Sequence, residues 1–130
     1  MTPLSAAEAN ALIAEMFFGW WKERNVFVEG DVIWHHPTCH IRQKERICVC
    51  GSYIPDYLNS AERSKELRDK LAETWDTNLA RATNVSVFAL WPKGTTDKTV
   101  PPTHIARADT EFEAVVLCAP RSRGVEVEIV

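Results

Sequence analysis

Histidine and cysteine, two residue types that often bind zinc together, are concentrated in one segment of this chain. Residues 35–51 read HHPTCHIRQKERICVCG and hold three of the four histidines and three of the four cysteines. Zinc takes four nitrogen or sulfur ligands arranged as a tetrahedron. If the segment folds back as a hairpin, its two ends would supply enough donors for one ion. The candidate ligands are His36, Cys39, His40, Cys48 and Cys50.

The spacing of these donors differs from that of strong zinc signatures. Structural sites use cysteine pairs that are two to four residues apart, whereas a single residue separates Cys48 from Cys50. Because alternate residues of a strand share a face, these two cysteines also fit as small apolar side chains on one strand. We favour this second interpretation and predict no bound cofactor, with a zinc site as the alternative.

No other motif indicates a catalytic centre. Cys39 and His40 are neighbours in sequence, which on an extended segment points their side chains apart, although a nucleophile needs its base within reach. The five glycines are isolated, so no phosphate-binding loop is present. We therefore predict that the protein is not an enzyme.

Composition and charge restrict the class of protein. The chain has 130 residues, 45% of them hydrophobic, and a net charge of −3, which is typical of one soluble domain spanning 1–130. A nucleic-acid-binding domain normally carries a basic excess, so direct binding of nucleic acid is disfavoured. No apolar stretch reaches the roughly 18 residues of a membrane span, and the N-terminal residues lack the pattern of a secretory signal. We expect a cytoplasmic protein with reduced cysteines.

Capping signals and apolar spacing predict three helices. Ser5 and Glu8 have capping-box spacing at the start of a helix over 4–18 that Gly19 ends. Residues 110–119 allow a helix or a strand, and a second capping box favours the helix, which Pro120 is expected to stop. The remaining helix is predicted to start at Asn59 and to bury Leu67, Leu71, Trp75 and Leu79.

The strands complete a predicted α+β fold. Alternating or continuous apolar runs predict strands within 26–36, 46–51, 84–92 and 103–108, and 125–129 alternates as a possible last strand. The element order α-β-β-α-β-β-α indicates a layered sandwich in which helices pack on one antiparallel sheet. The last strand would join this sheet or that of a second subunit, which makes a homodimer through 124–130 possible.

Three segments carry a family resemblance: ANALIAEMFFGWW at 9–21, YIPDYLNSAERSKELRDKL at 53–71 and ARADTEFEAVVLCA at 106–119. The first resembles the opening helix, ending in Gly-Trp, of the phage ABA-sandwich domain family. The second resembles that family's Pro-Asp-Tyr start of the second helix, and the third resembles the start of its closing helix. The resemblance implies a fold and a phage or mobile-element origin, and it supplies no catalytic residue.

Small phage proteins act chiefly by occupying surfaces of host proteins, and the resemblance carries that expectation. We therefore predict a protein that binds and inhibits a host protein, such as an anti-CRISPR-like inhibitor of a defence system. Aromatic residues are frequent energetic centres of interfaces, and a small basic ridge adds charge. The expected contact residues are Trp20, Trp21, Trp34, Tyr57, Arg42, Lys44 and Arg46. Two alternatives remain: a zinc-stabilised module that binds nucleic acid or is structural, and an oligomeric sponge for a signalling nucleotide.

Overall fold

A computed structural model describes residues 1–24, 29–30, 32–37 and 53–130 of the chain. The described part is a mixed α+β fold, which confirms the predicted fold class. In chain order its elements are β1 Thr2–Leu4, α1 Ala6–Phe18, β2 Trp21–Arg24, β3 Val32–His35, α2 Ala61–Ala72, β4 Trp75–Ala82, β5 Val85–Pro92, β6 His104–Ala108, α3 Glu111–Arg121 and β7 Val127–Ile129. Among these residues, no helix has the length and apolar character needed to cross a membrane.

The described strands form three small sheets, whereas the sequence analysis predicted one. Strands β4, β5 and β6 make an antiparallel sheet with β5 in the centre, as its apolar faces predicted. Strands β2 and β3 pair as an antiparallel hairpin, and β1 pairs with β7 in parallel. The C-terminal strand therefore joins the N-terminus of its own chain, and a homodimer through 124–130 stays a prediction. The strand predicted at 46–51 lies outside the described residues.

Helices α1 and α3 begin where their capping signals predicted. The Ser5 hydroxyl accepts the Glu8 backbone N–H at 3.2 Å, and the Glu8 carboxylate accepts the Ser5 N–H at 3.1 Å. Gly19 ends α1 in the left-handed conformation, with φ 75°. Helix α3 continues one residue beyond Pro120, which differs from the predicted stop. A proline in the last turn removes one backbone donor, and the helix tolerates this loss at its end.

The second helix is shorter than predicted. Ser60, not Asn59, caps α2 by accepting the Arg63 N–H at 3.3 Å, and the helix ends at Ala72. Trp75 and Leu79, which were expected on the helical stripe, lie in strand β4 instead. A spacing of four residues repeats one face of a helix and also one face of a strand. The apolar period alone therefore could not separate the two structures at this boundary.

Helix α3 is the central element of the core. It contacts α1, α2, the β5–β6 pair and β7. Val115 and Val116 on α3, Phe88 on β5 and Leu67 on α2 are each at most 1% exposed. Burying a side chain of this size contributes about 1.5–3 kcal/mol, so the three helices and the three-stranded sheet are held to one another through α3.

Candidate functional site

An apolar groove of about 500 Å³ lies between α1, the β1–β7 pair and the β2–β3 hairpin. Two of the valines that line it are partly in water: Val32 is 43% exposed and Val125 is 38% exposed. Apolar surface left in water is covered favourably by a partner at about 25 cal/mol per Å². The apolar lining comes chiefly from Leu4, Leu12, Val32, Trp34, Val125 and Val127.

Charged side chains border this groove on two sides. Glu8 and Glu15 extend from α1, and Lys22 extends from β2. The Lys22 ammonium lies 4.0 Å from the Glu15 carboxylate and 5.8 Å from the centre of the Trp34 ring. The helix side of the groove is therefore acidic, and the hairpin side carries a cation near an aromatic face.

A second pocket, of about 520 Å³, is lined mainly by aromatic rings. Phe18 at the end of α1 stacks on Tyr57, with ring centroids 5.4 Å apart and planes 11° from parallel. Trp20 meets the ring of His36 edge-on at 5.1 Å. Tyr53 also lines the pocket and is 92% exposed, so its ring stands in solvent at the rim. We call this the aromatic pocket.

The polar side of the aromatic pocket is an ion pair on the first turns of α2. The Arg63 guanidinium donates from Nη1 to both carboxylate oxygens of Glu66, at 3.1 and 3.0 Å. The two side chains are 45% and 41% exposed, so solvent and a ligand can reach them. Burial, together with the nearby Glu66 carboxylate, raises the pKa of Tyr57 to about 12. The Tyr57 hydroxyl therefore keeps its proton at neutral pH.

A hydrogen-bonded junction between α1 and the turn before α2 lies beside the aromatic pocket. The Asn10 amide donates to Asp56 at 3.2 Å, and its oxygen accepts the Tyr57 backbone N–H at 2.9 Å. Asp56 also accepts the backbone N–H groups of Leu58 and Asn59, at 3.1 and 3.2 Å. Burial alone would raise the pKa of Asp56, but these hydrogen bonds outweigh it and lower the pKa below 3.8.

A third cluster of side chains fixes the β2–β3 hairpin. The Trp21 ring stacks on His35, its cross-strand neighbour, with centroids 4.0 Å apart. The Nε2 atom of His35 lies 3.0 Å from a carboxylate oxygen of Glu23. A general base must reach the proton that it removes, and His35 is only 1% exposed. This histidine–carboxylate pair therefore stabilises the hairpin and is not open to a substrate.

The structure separates the aromatic residues that were predicted to contact a partner. Trp34 is half-buried and lines the apolar groove, and Trp21 is half-buried against His35. Trp20 and Tyr57 are 6% and 1% exposed, so both rings are buried in the described structure, and their role as partner contacts stays a prediction. The Tyr57 backbone is held against α1 by its hydrogen bond to Asn10. The basic ridge of Arg42, Lys44 and Arg46 lies outside the described residues.

Most of the candidate zinc ligands lie outside the described part of the chain. Of the five candidate ligands, His36 is described, and its ring lies in the aromatic pocket. Cys39, His40, Cys48 and Cys50 are not among the described residues. Within the described ranges, no three His, Cys, Asp or Glu side chains are grouped so that they could hold a metal ion. Both interpretations of the histidine- and cysteine-rich segment therefore stay predictions.

Cys118, the cysteine among the described residues, packs in the core. Its side chain is fully buried on α3, and burial raises the pKa of the thiol to about 12. The thiolate is the reactive form of cysteine. Cys118 therefore stays protonated at neutral pH and behaves as a small apolar core residue.

Sequence reasoning missed the polar residues that shape the aromatic pocket. Asn10, Arg63 and Glu66 lie on helices whose pattern was not interpreted as lining a pocket. The signal for Arg63 and Glu66 was their spacing of three residues, which places opposite charges side by side on one helix face. Asn10 gave no local signal because both of its partners lie more than forty positions away.

Comparisons with known proteins were made at the level of families, sequences and structures. A scan against protein-family models, a search of curated proteins and a search of solved structures each returned no match.

Proposed function

We propose that this chain is a non-enzymatic binding protein of phage type that inhibits a host protein in the host-cell cytoplasm, as an anti-CRISPR-like inhibitor of a defence system does. The observation that supports this most directly is the apolar groove, about 500 Å³ in volume, with Val32 and Val125 partly in water. The phage origin depends on the resemblance of three segments to the phage ABA-sandwich domain family.

The proposed occupant is an amphipathic segment of the host protein. Its apolar side chains fill the groove between Leu12 and Trp34, and its basic residues meet the acidic helix side formed by Glu8 and Glu15. A helix laid in a groove buries apolar side chains that recur every three or four residues. Complementary charge at the rim of the groove raises the association rate and the specificity more than the affinity.

Inhibition by contact alone is consistent with the chemistry of the described residues. His35 is buried, and the Cys118 thiol is protonated and enclosed. Neither offers an accessible nucleophile or base. We therefore expect the mass of the host protein to be the same before binding and after release from the complex.

The test is capture from host lysate followed by reconstitution. Wild-type protein on a resin is expected to retain one host protein in stoichiometric amount, which is then purified and titrated by calorimetry. Leu12→Arg places a charge in the groove, and Trp34→Ala removes an aromatic wall. Each is expected to weaken the reconstituted complex at least about ten-fold, the range of an interface hot spot.

Val100→Arg is the matched control, because Val100 is 44% exposed and does not line the groove. It introduces the same charge on an exposed apolar site and is expected to leave the affinity within about two-fold. Thermal melting of each variant shows that it is folded, and Trp34→Ala replaces Leu12→Arg if the latter is not. Retention of nothing above background, or equal binding by wild type and both folded groove variants, would contradict the proposal.

A further inference from the structure

The aromatic pocket has a different chemistry from the apolar groove, and the two share no lining residue. Its volume of about 520 Å³ is in the range of sites for small organic ligands. Three of its rings are fixed by packing: Phe18 and Tyr57 by their stacking, and Trp20 by its edge contact with His36. Trp20 and Tyr57 are 6% and 1% exposed, so they form the fixed back of the pocket, and a ligand that enters needs little rearrangement of these rings.

Tyr53 is the ring of this pocket with most of its surface available to a ligand. It is 92% exposed although it borders a pocket lined by rings. A tyrosine ring in solvent gains free energy when a flat apolar surface covers one of its faces. Aromatic side chains in such positions stack on nucleic-acid bases, because every base has a flat π face.

The ion pair of Arg63 and Glu66 restricts which planar ligand can bind in the aromatic pocket. Arg63 and Glu66 place a donor group and an acceptor group next to each other at the pocket, each about half exposed. Arginine pairs with the O6 and N7 acceptors of guanine. A carboxylate accepts hydrogen bonds from N–H donors, and guanine carries two such donors, N1–H and the N2 amino group, on an adjacent edge. Adenine and cytosine present one amino nitrogen beside a ring-nitrogen acceptor, so they can donate to the Glu66 carboxylate from one atom, whereas guanine can donate from two while O6 accepts from Arg63; guanine therefore forms the most hydrogen bonds with the pair.

The net charge of the protein and the charges at the pocket favour recognition of a base over recognition of a phosphate chain. The protein has a net charge of −3, and Arg63 in this pocket is already balanced by Glu66. Binding through a phosphate backbone needs several cations and weakens steeply with salt. We propose that the aromatic pocket is a binding site for a guanine base, stacked against Tyr53 and hydrogen-bonded at its edge by Arg63 and Glu66.

Guanine occurs in free nucleotides and in single-stranded nucleic acid, and calorimetric titration separates the two sources. The probes are guanosine 5′-monophosphate, adenosine 5′-monophosphate, cytidine 5′-monophosphate and a short guanine-containing single-stranded RNA. The guanine nucleotide is expected to bind at one per chain and at least about ten-fold more tightly than the other two mononucleotides. If the RNA and the mononucleotide bind alike, the ligand is a free nucleotide; if the RNA binds far more tightly, the source is a strand. Both results support a guanine site.

Substitutions test the two contacts separately. Glu66→Gln replaces one of the two carboxylate acceptor oxygens with a donor and is expected to weaken guanine binding about ten- to a hundred-fold. Tyr53→Ala removes the exposed ring and should weaken binding of every base by about five- to a hundred-fold, whereas Tyr53→Phe should restore it. Lys65→Ala is the control on the same helix, because Lys65 pairs with Asp69 at 2.8 Å and does not line the pocket.

Two outcomes would overturn the guanine site. One is the absence of saturable binding by the guanine nucleotide and the RNA up to about 1 mM. The other is binding that Glu66→Gln and Tyr53→Ala, shown to be folded by thermal melting, leave unchanged. Neither outcome bears on the apolar groove, whose variants are Leu12→Arg and Trp34→Ala, so the two proposals fail independently.

Discussion

Replacing Asn10 with alanine should destabilise the protein measurably, because its side chain joins α1 to the turn that precedes α2. The Asn10 amide donates to Asp56 at 3.2 Å and accepts the Tyr57 N–H at 2.9 Å. A net hydrogen bond contributes about 0.5–1.5 kcal/mol, and one to a charged group about 1.5–3 kcal/mol. Asp56 is exposed, so the lower end of the second range applies.

The two bonds together contribute about 2–3 kcal/mol. Alanine is a better helix former than asparagine by about 0.5 kcal/mol, which offsets part of the loss within α1. The expected cost is therefore about 1.5–2.5 kcal/mol. An unfolding entropy of about 2.1 cal/mol/K per residue over 130 residues converts this cost to a fall in Tm of about 5–9 °C.

Urea denaturation followed by tryptophan fluorescence measures the change in unfolding free energy, with the slope m expected to stay constant. Asn10→Asp is the informative second variant: it keeps an oxygen for the Tyr57 N–H but places a carboxylate against Asp56. Its destabilisation should shrink at low pH as the two carboxyl groups become protonated. Asn78→Ala, at an exposed site on β4, should change stability by less than about 0.5 kcal/mol.

A double-mutant cycle between Asn10→Ala and Asp56→Ala isolates their interaction. We expect a coupling free energy of about 0.5–1.5 kcal/mol, because the residues are in direct contact. The reasoning would be refuted by a cost below about 0.5 kcal/mol for Asn10→Ala, or by two single effects that add within about 0.3 kcal/mol. Either result would mean that the junction does not hold the turn before α2 against α1.

Two further predictions follow from titratable groups. Because hydrogen bonds hold the folded-state pKa of Asp56 below its ordinary value of 3.8, its contribution to stability is present above that value and is lost as the pH falls through the folded pKa. Urea titrations from about pH 5 to pH 2 should therefore show the stability gap between wild type and Asp56→Asn closing at the acid end; a constant gap would count against it. Because burial raises the pKa of Cys118 to about 12, peptide mapping after iodoacetamide treatment at pH 8 should show Cys118 alkylated at least about a hundred-fold more slowly in the folded protein than in urea. Equal rates in both states would show that the thiol is accessible.

Local signals predicted the elements whose ends are set by neighbouring residues. The capping box of Ser5 and Glu8, the left-handed Gly19 and the start of α3 at Thr110 all involve partners within a few positions. Both partners of such an interaction lie within a few residues of each other, so a short stretch of sequence is enough to predict it. The same is true of β5, whose continuous apolar run indicated a central strand.

These local signals could not predict which strands pair when they are far apart in the sequence. Trp75 and Leu79 satisfied a helical period and a strand period together, and their pairing with Pro92 and Phe88 on β5 decided the outcome. The parallel pairing of Thr2 with Val127 joins the two ends of the chain and had no counterpart in any local pattern. The position of Tyr57 likewise involves a residue far away in sequence, since its backbone N–H donates to Asn10.

Two of the segments on which the predicted resemblance depends contain residues that contact each other. Asn10 belongs to the segment 9–21 and Asp56 to the segment 53–71, and their hydrogen bond ties α1 to the turn before α2. Such a contact concerns packing and leaves the ligand open. The residues that differ in chemistry from a packed core, Tyr53 with its ring in solvent and the charged Glu66, line the aromatic pocket together with Tyr57 of this junction. A hydrogen-bonded junction in the backbone with an exposed ring and a charged group at its surface leaves the choice of ligand to a few side chains.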